Sequence, residues 1–328
     1  MQRSRTALRS LTRQLSTSAA RPAPAAYAAP LKPGQLPAFD EAVAYIAKDR
    51  ENKLKQLEEL KRQGGVDQAV LDKLEVEAWA NDPETRWKAK NGQADLSKPV
   101  YRQLVKRAWH KDGDLTILLQ RIHQMHIVPD LLPSLSPEVD VRIQVAGETV
   151  EPGAYTQPAQ TREGFEVSAQ VFHPEERLYT LLVIDPDVPD ELNQSFTTFA
   201  HLLIPNITVS ATTPASLPLS TLPSTLPFVP PHPQNGTPYH RYTVLLLEQP
   251  SQLSLDAADS ALERGGFSAR EFVQQHGLEA RGVSFFRQVW DREVSKIYEE
   301  VLNLPEPRYG RPPKIDTYTG RPPKYEVV

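Results

Sequence analysis

Asp185 and Asp187 flank Pro186 in the run Asp185-Pro186-Asp187-Val188-Pro189, and His201 follows with ten residues between it and Asp190. Two carboxylates and an imidazole can share a proton or grip a small polar group, most effectively against an apolar wall that keeps bulk water back. Residues 179–184, Tyr-Thr-Leu-Leu-Val-Ile, supply such a wall. No partner for covalent or phosphoryl chemistry accompanies them: there is no Gly-x-Ser-x-Gly elbow, P-loop, His-Glu-x-x-His or dinucleotide fingerprint. Cysteine is absent, which excludes thiol catalysis, disulfide scaffolds and zinc–thiolate sites together. His123 and His126 lie three apart beside Met125 without a third ligand, and read as surface or core residues rather than a metal site. The expectation is a pocket and not an active site, with no catalytic residue, metal or cofactor.

The elements that would hold these side chains follow from periodicity. The run 179–184 is too brief for an ordinary helix and suits a buried strand. Two prolines within 185–189 cannot extend a hydrogen-bonded ladder, so the chain is expected to turn there. Val139, Val141, Ile143 and Val145 alternate with Asp140, Arg142 and Gln144, the pattern of a half-buried strand. Further strands fit 165–172, 199–204, 239–247 and 284–289. A capping box at Ser268-Ala269-Arg270-Glu271 opens a short helix that ends near Gly277, and a last helix fits 291–302. Residues 208–238 form a long Ser/Thr/Pro-rich connection, a length that is usually functional or partly disordered.

Ahead of residue 130 the period is helical. Helices fit 40–63, stopped by Gly64-Gly65; 66–80, stopped by Asn81-Asp82-Pro83; 99–110, with Ser97 as N-cap; and 115–126. Residues 86–111 carry Arg86, Lys88, Lys90, Lys98, Arg102, Lys106, Arg107 and Lys111 against the single acid Asp95, with Trp87, Tyr101 and Trp109 interleaved. Helical spacing puts Arg102, Lys106 and His110 on one face. Cations neutralise phosphates and flat rings stack on exposed bases, so these eight basic residues are candidate RNA contacts. The alternative is a solvated face whose aromatics belong to the core.

Charge is unevenly spread. Residues 1–39 hold six of the 37 basic residues and no acid, leaving 31 basic against 41 acidic residues beyond them. An acid-free, Arg- and Ser-rich start has the composition of a mitochondrial presequence, so residues 1–30 are expected to be presequence and linker and the mature protein to reside in the mitochondrial matrix. No apolar run approaches the roughly 20 residues of a membrane-spanning helix. Residues 304–328 contain Gly-Arg-Pro-Pro-Lys twice and read as a basic, Pro-rich arm that orders on a partner surface, the alternative being a disordered end.

Residues 179–201 resemble the signature of the phosphatidylethanolamine-binding protein (PEBP) family: an apolar strand, Asp185-Pro186-Asp187 with Pro189, then His201. His240-Arg241-Tyr242 ahead of an apolar strand, and the closing helix–strand–helix over 267–302, resemble two further family elements. The resemblance covers about residues 138–303. It implies a PEBP-like β-rich domain with C-terminal helices; with the helical region read from periodicity over 40–130 ahead of it, the expected fold class is α+β. It also implies a pocket of Asp185, Asp187, His201, His240 and Tyr242 for a small anionic or phosphorylated head group. The chain departs from the pattern at Asp190, at Leu202 after the first His, and at Pro238-Tyr239 before the second. Asn81-Asp82-Pro83-Glu84, Lys98-Pro99-Val100-Tyr101 and Val128-Pro129-Asp130-Leu131 resemble the branch of the family built into the mitochondrial large ribosomal subunit. That branch implies mitochondrial ribosomal proteins and large-subunit rRNA as partners, and a structural role in translation. The alternative is a free mitochondrial PEBP-like protein that binds phospholipid head groups or inhibits a protease.

Overall fold

The computed structural model describes residues 26–255 and 262–310. Most of the expected presequence, up to residue 25, and the repeated Gly-Arg-Pro-Pro-Lys arm beyond residue 310 lie outside the described residues. Helices come first: α1 (Pro37–Gln63), α2 (Gln68–Trp79), α3 (Pro83–Lys90), α4 (Pro99–Lys111), α5 (Asp114–Gln124) and the single turn α6 (Ile127–Asp130). Then follow β1 (Asp140–Val145), β2 (Glu148–Val150), α7 (Pro158–Thr161), β3 (Glu166–Gln170), β4 (Arg177–Asp190), β5 (Ser195–Val209), β6 (Ser216–Leu217), β7 (His240–Glu248), α8 (Ala269–His276), β8 (Glu279–Gln288) and α9 (Arg292–Lys296), which runs into a π-helical turn, Ile297–Leu302. The architecture is α+β, helical region first.

Two antiparallel sheets make the β-rich part, in strand orders β2-β1-β3-β6 and β5-β4-β7-β8. Val141, Ile143 and Val145 of β1 face Leu181, Val183, Tyr242 and Phe286 in the core between the sheets. The other face of the larger sheet, Leu182, Ile184, Leu245, Leu247 and Phe285, packs on Leu118 and Ile122 of α5, Ile127 of α6, Leu131, Leu132 and Phe272 of α8. With both faces covered, every side chain of 179–184 is buried, which is why the run is apolar without alternation.

Three expectations need correction. β4 does not turn at Asp185 but continues to Asp190, and the turn falls at residues 191–194, where the Asp190 carboxylate accepts the N–H groups of Leu192 and Asn193. The prolines are tolerated because the β4–β7 ladder ends at Ile184–Thr243. Beyond it β4 pairs on one side only, with β5, across a register shift between Asp185 and Val188. Asn81-Asp82-Pro83 does not merely stop α2. Asp82 caps α3, accepting from the N–H and hydroxyl of Thr85 at 3.0 and 2.9 Å, and Pro83 occupies the first turn. Ser97 does not cap α4, since its hydroxyl donates to Asp95 and Lys98 takes the N-cap position.

Candidate functional site

Beyond the last β4–β7 pair the two strands present polar residues to each other in place of a ladder. Alternation along β7 sends His240 and Tyr242 toward the inter-sheet core and Arg241 toward the helices. Asp185 meets His240, whose Nδ1 donates to Asp185 Oδ2 at 2.7 Å, while the second carboxylate oxygen accepts the Asp187 N–H at 2.9 Å. Thr237 Oγ1 closes on His240 Nε2 at 2.9 Å. His201 arrives by a bulge: Val183 pairs with Leu202 and Ile184 with Ala200, so His201 is the extra residue of β5. The bulge turns its ring to 5.1 Å from Tyr242 and 5.0 Å from His232.

Four of the five expected pocket residues are thereby gathered, and they are sealed. Relative exposures are 2% for Asp185, 1% for His201 and 0% for His240 and Tyr242. The lid is the long connection before β7. Leu226 and Val229 pair with the edge of β5 at Leu203 and His201, and residues 230–234, including His232 and Gln234, are buried behind them. Tyr309 bonds through its N–H to the Asn235 carbonyl and lies so close over Gly236, φ +96°, that a Cβ there would collide with it. Asp187 stands apart from the four. Its carboxylate takes both the Nε and a terminal nitrogen of Arg241, at 2.8 and 2.7 Å, with the Arg241 N–H at 2.8 Å. The same guanidinium donates to the Met125 carbonyl and to Asp130, at 2.6 and 2.8 Å, and so ties β4 and β7 to the end of α5 and to α6.

Electrostatics follow burial. Burial would raise the Asp185 carboxyl, but the charge and hydrogen bond of His240 outweigh it and hold the group below its usual range. Burial lowers His201 to about 3, with His232 adding to it, and burial also lowers His232. Both rings are therefore neutral at neutral pH, unlike the charged histidine a phosphate site calls for. Tyr242 is pushed well above its usual value by burial and then by the Asp185 charge, and His201 Nε2 has no hydrogen-bond partner among the described residues.

The lowered histidines set a pH dependence. The unfolded chain takes up protons near pH 6.5 that the folded chain refuses, so this stability is complete above pH 6.5 and is lost as the pH falls toward 3. Urea unfolding between pH 7.5 and 5 is expected to show stability falling below pH 6.5 by up to about 1.4 kcal/mol per unit for His201, with a shallower fall in His201→Gln. Equal slopes in the two proteins would contradict a buried neutral imidazole.

The basic stretch divides in a way spacing alone did not reveal. Arg102 does not share an exposed face with Lys106 and His110. It is buried, donates to the Leu96 and Ser97 carbonyls at 3.0 and 2.8 Å and lies 3.6 Å from Asp72. Tyr101 and Trp109 are buried as well, Trp109 against Phe172. Lys88 pairs with Glu84 at 2.6 Å. Arg86 and Lys90 on α3 and Arg107 and Lys111 on α4 line one groove of about 590 Å³ together with Trp87. Neither these four nor Lys98 and Lys106 have an ion-pair partner among the described residues. His123 and His126 are exposed.

Residues 143–286 match the family model described as phosphatidylethanolamine-binding protein. Over 249 residues the chain is 28% identical to large ribosomal subunit protein mL38 of Schizosaccharomyces pombe, covering 75% of this chain and 80% of that protein. Among solved structures, carboxypeptidase Y inhibitor in complex with its cognate proteinase aligns at 16% identity and TM-score 0.43, over 53% of this chain and 95% of that one. Phosphatidylethanolamine-binding protein from Plasmodium vivax aligns at 19% and 0.39, over 53% and 97%.

Within this stretch, sequence reasoning missed Arg241, His232 and Thr237. Arg241 had a signal, since its place between His240 and Tyr242 puts it on the opposite face. His232 and Thr237 sit in an aperiodic connection and had none.

Proposed function

We propose that this chain is a structural component of the mitochondrial large ribosomal subunit, supporting translation through protein and rRNA contacts, and not an enzyme. The observation that carries this reading is the extent of the relationship to protein mL38. It runs over 249 residues, well beyond the 144 of the PEBP match, so it takes in chain outside that domain. The sealed site supports the reading. Asp185, Asp187, His240 and Arg241 spend their hydrogen bonds on one another, on Thr237 and on the helices. A free head-group binder needs those groups open to solvent. The acid-free N-terminal composition supports the mitochondrial address.

A tagged copy isolated from mitochondria under native conditions is expected to bring down large-subunit rRNA and proteins in stoichiometric amounts. Recovery of the tagged chain alone, with bound phospholipid, would favour the free head-group binder instead.

A further inference from the structure

We propose that the groove between α3 and α4 receives an unpaired nucleotide of a folded RNA, its flanking phosphates on Arg86, Lys90, Arg107 and Lys111 and its base against Trp87. This rests on the reading of the chain as an rRNA-contacting protein and names what that contact takes.

Charge makes the first argument. Arg86 and Lys90 are one turn apart on α3, as are Arg107 and Lys111 on α4, and both pairs line the same groove. Like charges gathered in this way repel. Two neighbouring cations are neutralised, Lys88 by Glu84 and Arg102 by Asp72, whereas these four, like Lys98 and Lys106, have no ion-pair partner among the described residues. A polyanion supplies what the chain does not.

Shape makes the second. Ala80, Ala89, Leu104 and Ala108 give the groove apolar lining. Its volume of about 590 Å³ falls in the range of about 300–1,000 Å³ that suits a small molecule, room enough for a single unstacked base. Trp87, half-buried and braced edge-on by Tyr27 at 5.9 Å, offers the stacking surface. Asn81 and Asp112 also line the groove. A carboxylate repels phosphate but accepts from the N–H edge of a base, so its presence favours a base over a bare phosphate.

The test is binding of the full chain to a fluorescent RNA hairpin carrying unpaired loop nucleotides, to a perfect duplex of the same length, and to free mononucleotides. The hairpin is expected to bind at least about 10-fold more tightly than the duplex, and Trp87→Ala to remove most of that preference. Arg107→Gln with Lys111→Gln, both exposed, is expected to weaken binding and to reduce the slope of log affinity against log salt by about 1.4. Trp87→Phe, which keeps a ring against Tyr27, should retain the preference if the fold is intact. Equal binding of hairpin and duplex, unchanged by Trp87→Ala, overturns the nucleotide pocket and leaves the RNA-contact reading standing. No RNA binding at low salt overturns both. Free mononucleotide binding as tight as the hairpin overturns RNA as the source of the base.

Discussion

Replacing Arg241 with Ala is expected to cost about 3 kcal/mol of folding stability, the low end for breaking a buried ion pair, because the Asp187 and Asp130 side chains keep 18% and 42% of their exposure. The loss has a direction in space. Arg241 joins β4 through Asp187 to α6 through Asp130 and to the end of α5 through the Met125 carbonyl. Amide exchange over 114–130 should therefore accelerate more than in β4 or β8. Arg241→Lys should recover only part of the loss, since one ammonium cannot make the two-point contact with Asp187. Unchanged stability and exchange would show that the helices hold to the sheet by apolar packing alone.

Asp185→Ala and His240→Ala are each expected to destabilise the protein by about 2–3 kcal/mol, because each leaves a fully buried polar partner without its bond. The double substitution should cost at least about 1 kcal/mol less than the sum of the two. This separates a structural cluster from a binding site. Residues held for ligand binding commonly limit stability, and their removal is neutral or stabilising. Guanidinium unfolding of the four proteins makes the comparison.

How far the sequence announced all this can be traced residue by residue. The strand over 179–184 was legible because burial on both faces leaves an unbroken apolar run, and β1 because burial on one face leaves strict alternation. Asp185, His201, His240 and Tyr242 were legible as a group through their family pattern, and the structure brings them together. Asp187 sits apart from them on Arg241, a pairing set by strand alternation across 54 residues of chain. The prolines of 185–189 misled because a proline breaks a ladder only where a ladder exists on both sides. Arg102 misled because helical spacing finds a face but not what covers it. Leu96 and Ser97 do so here, from the loop that precedes α4. The α3 helix went unread although Asp82-Pro83-Glu84 is a sound helix start, because the same residues also make a sound stop.

Sedimentation of mitochondrial lysate through sucrose at low and moderately high salt, with this chain tagged, tests the central claim most directly. The account predicts co-migration with the large ribosomal subunit that survives the higher salt, because protein contacts and a seated base hold where loose phosphate contacts are stripped by competing counterions. Migration near the top of the gradient at both salt concentrations, as a small free protein, would contradict it.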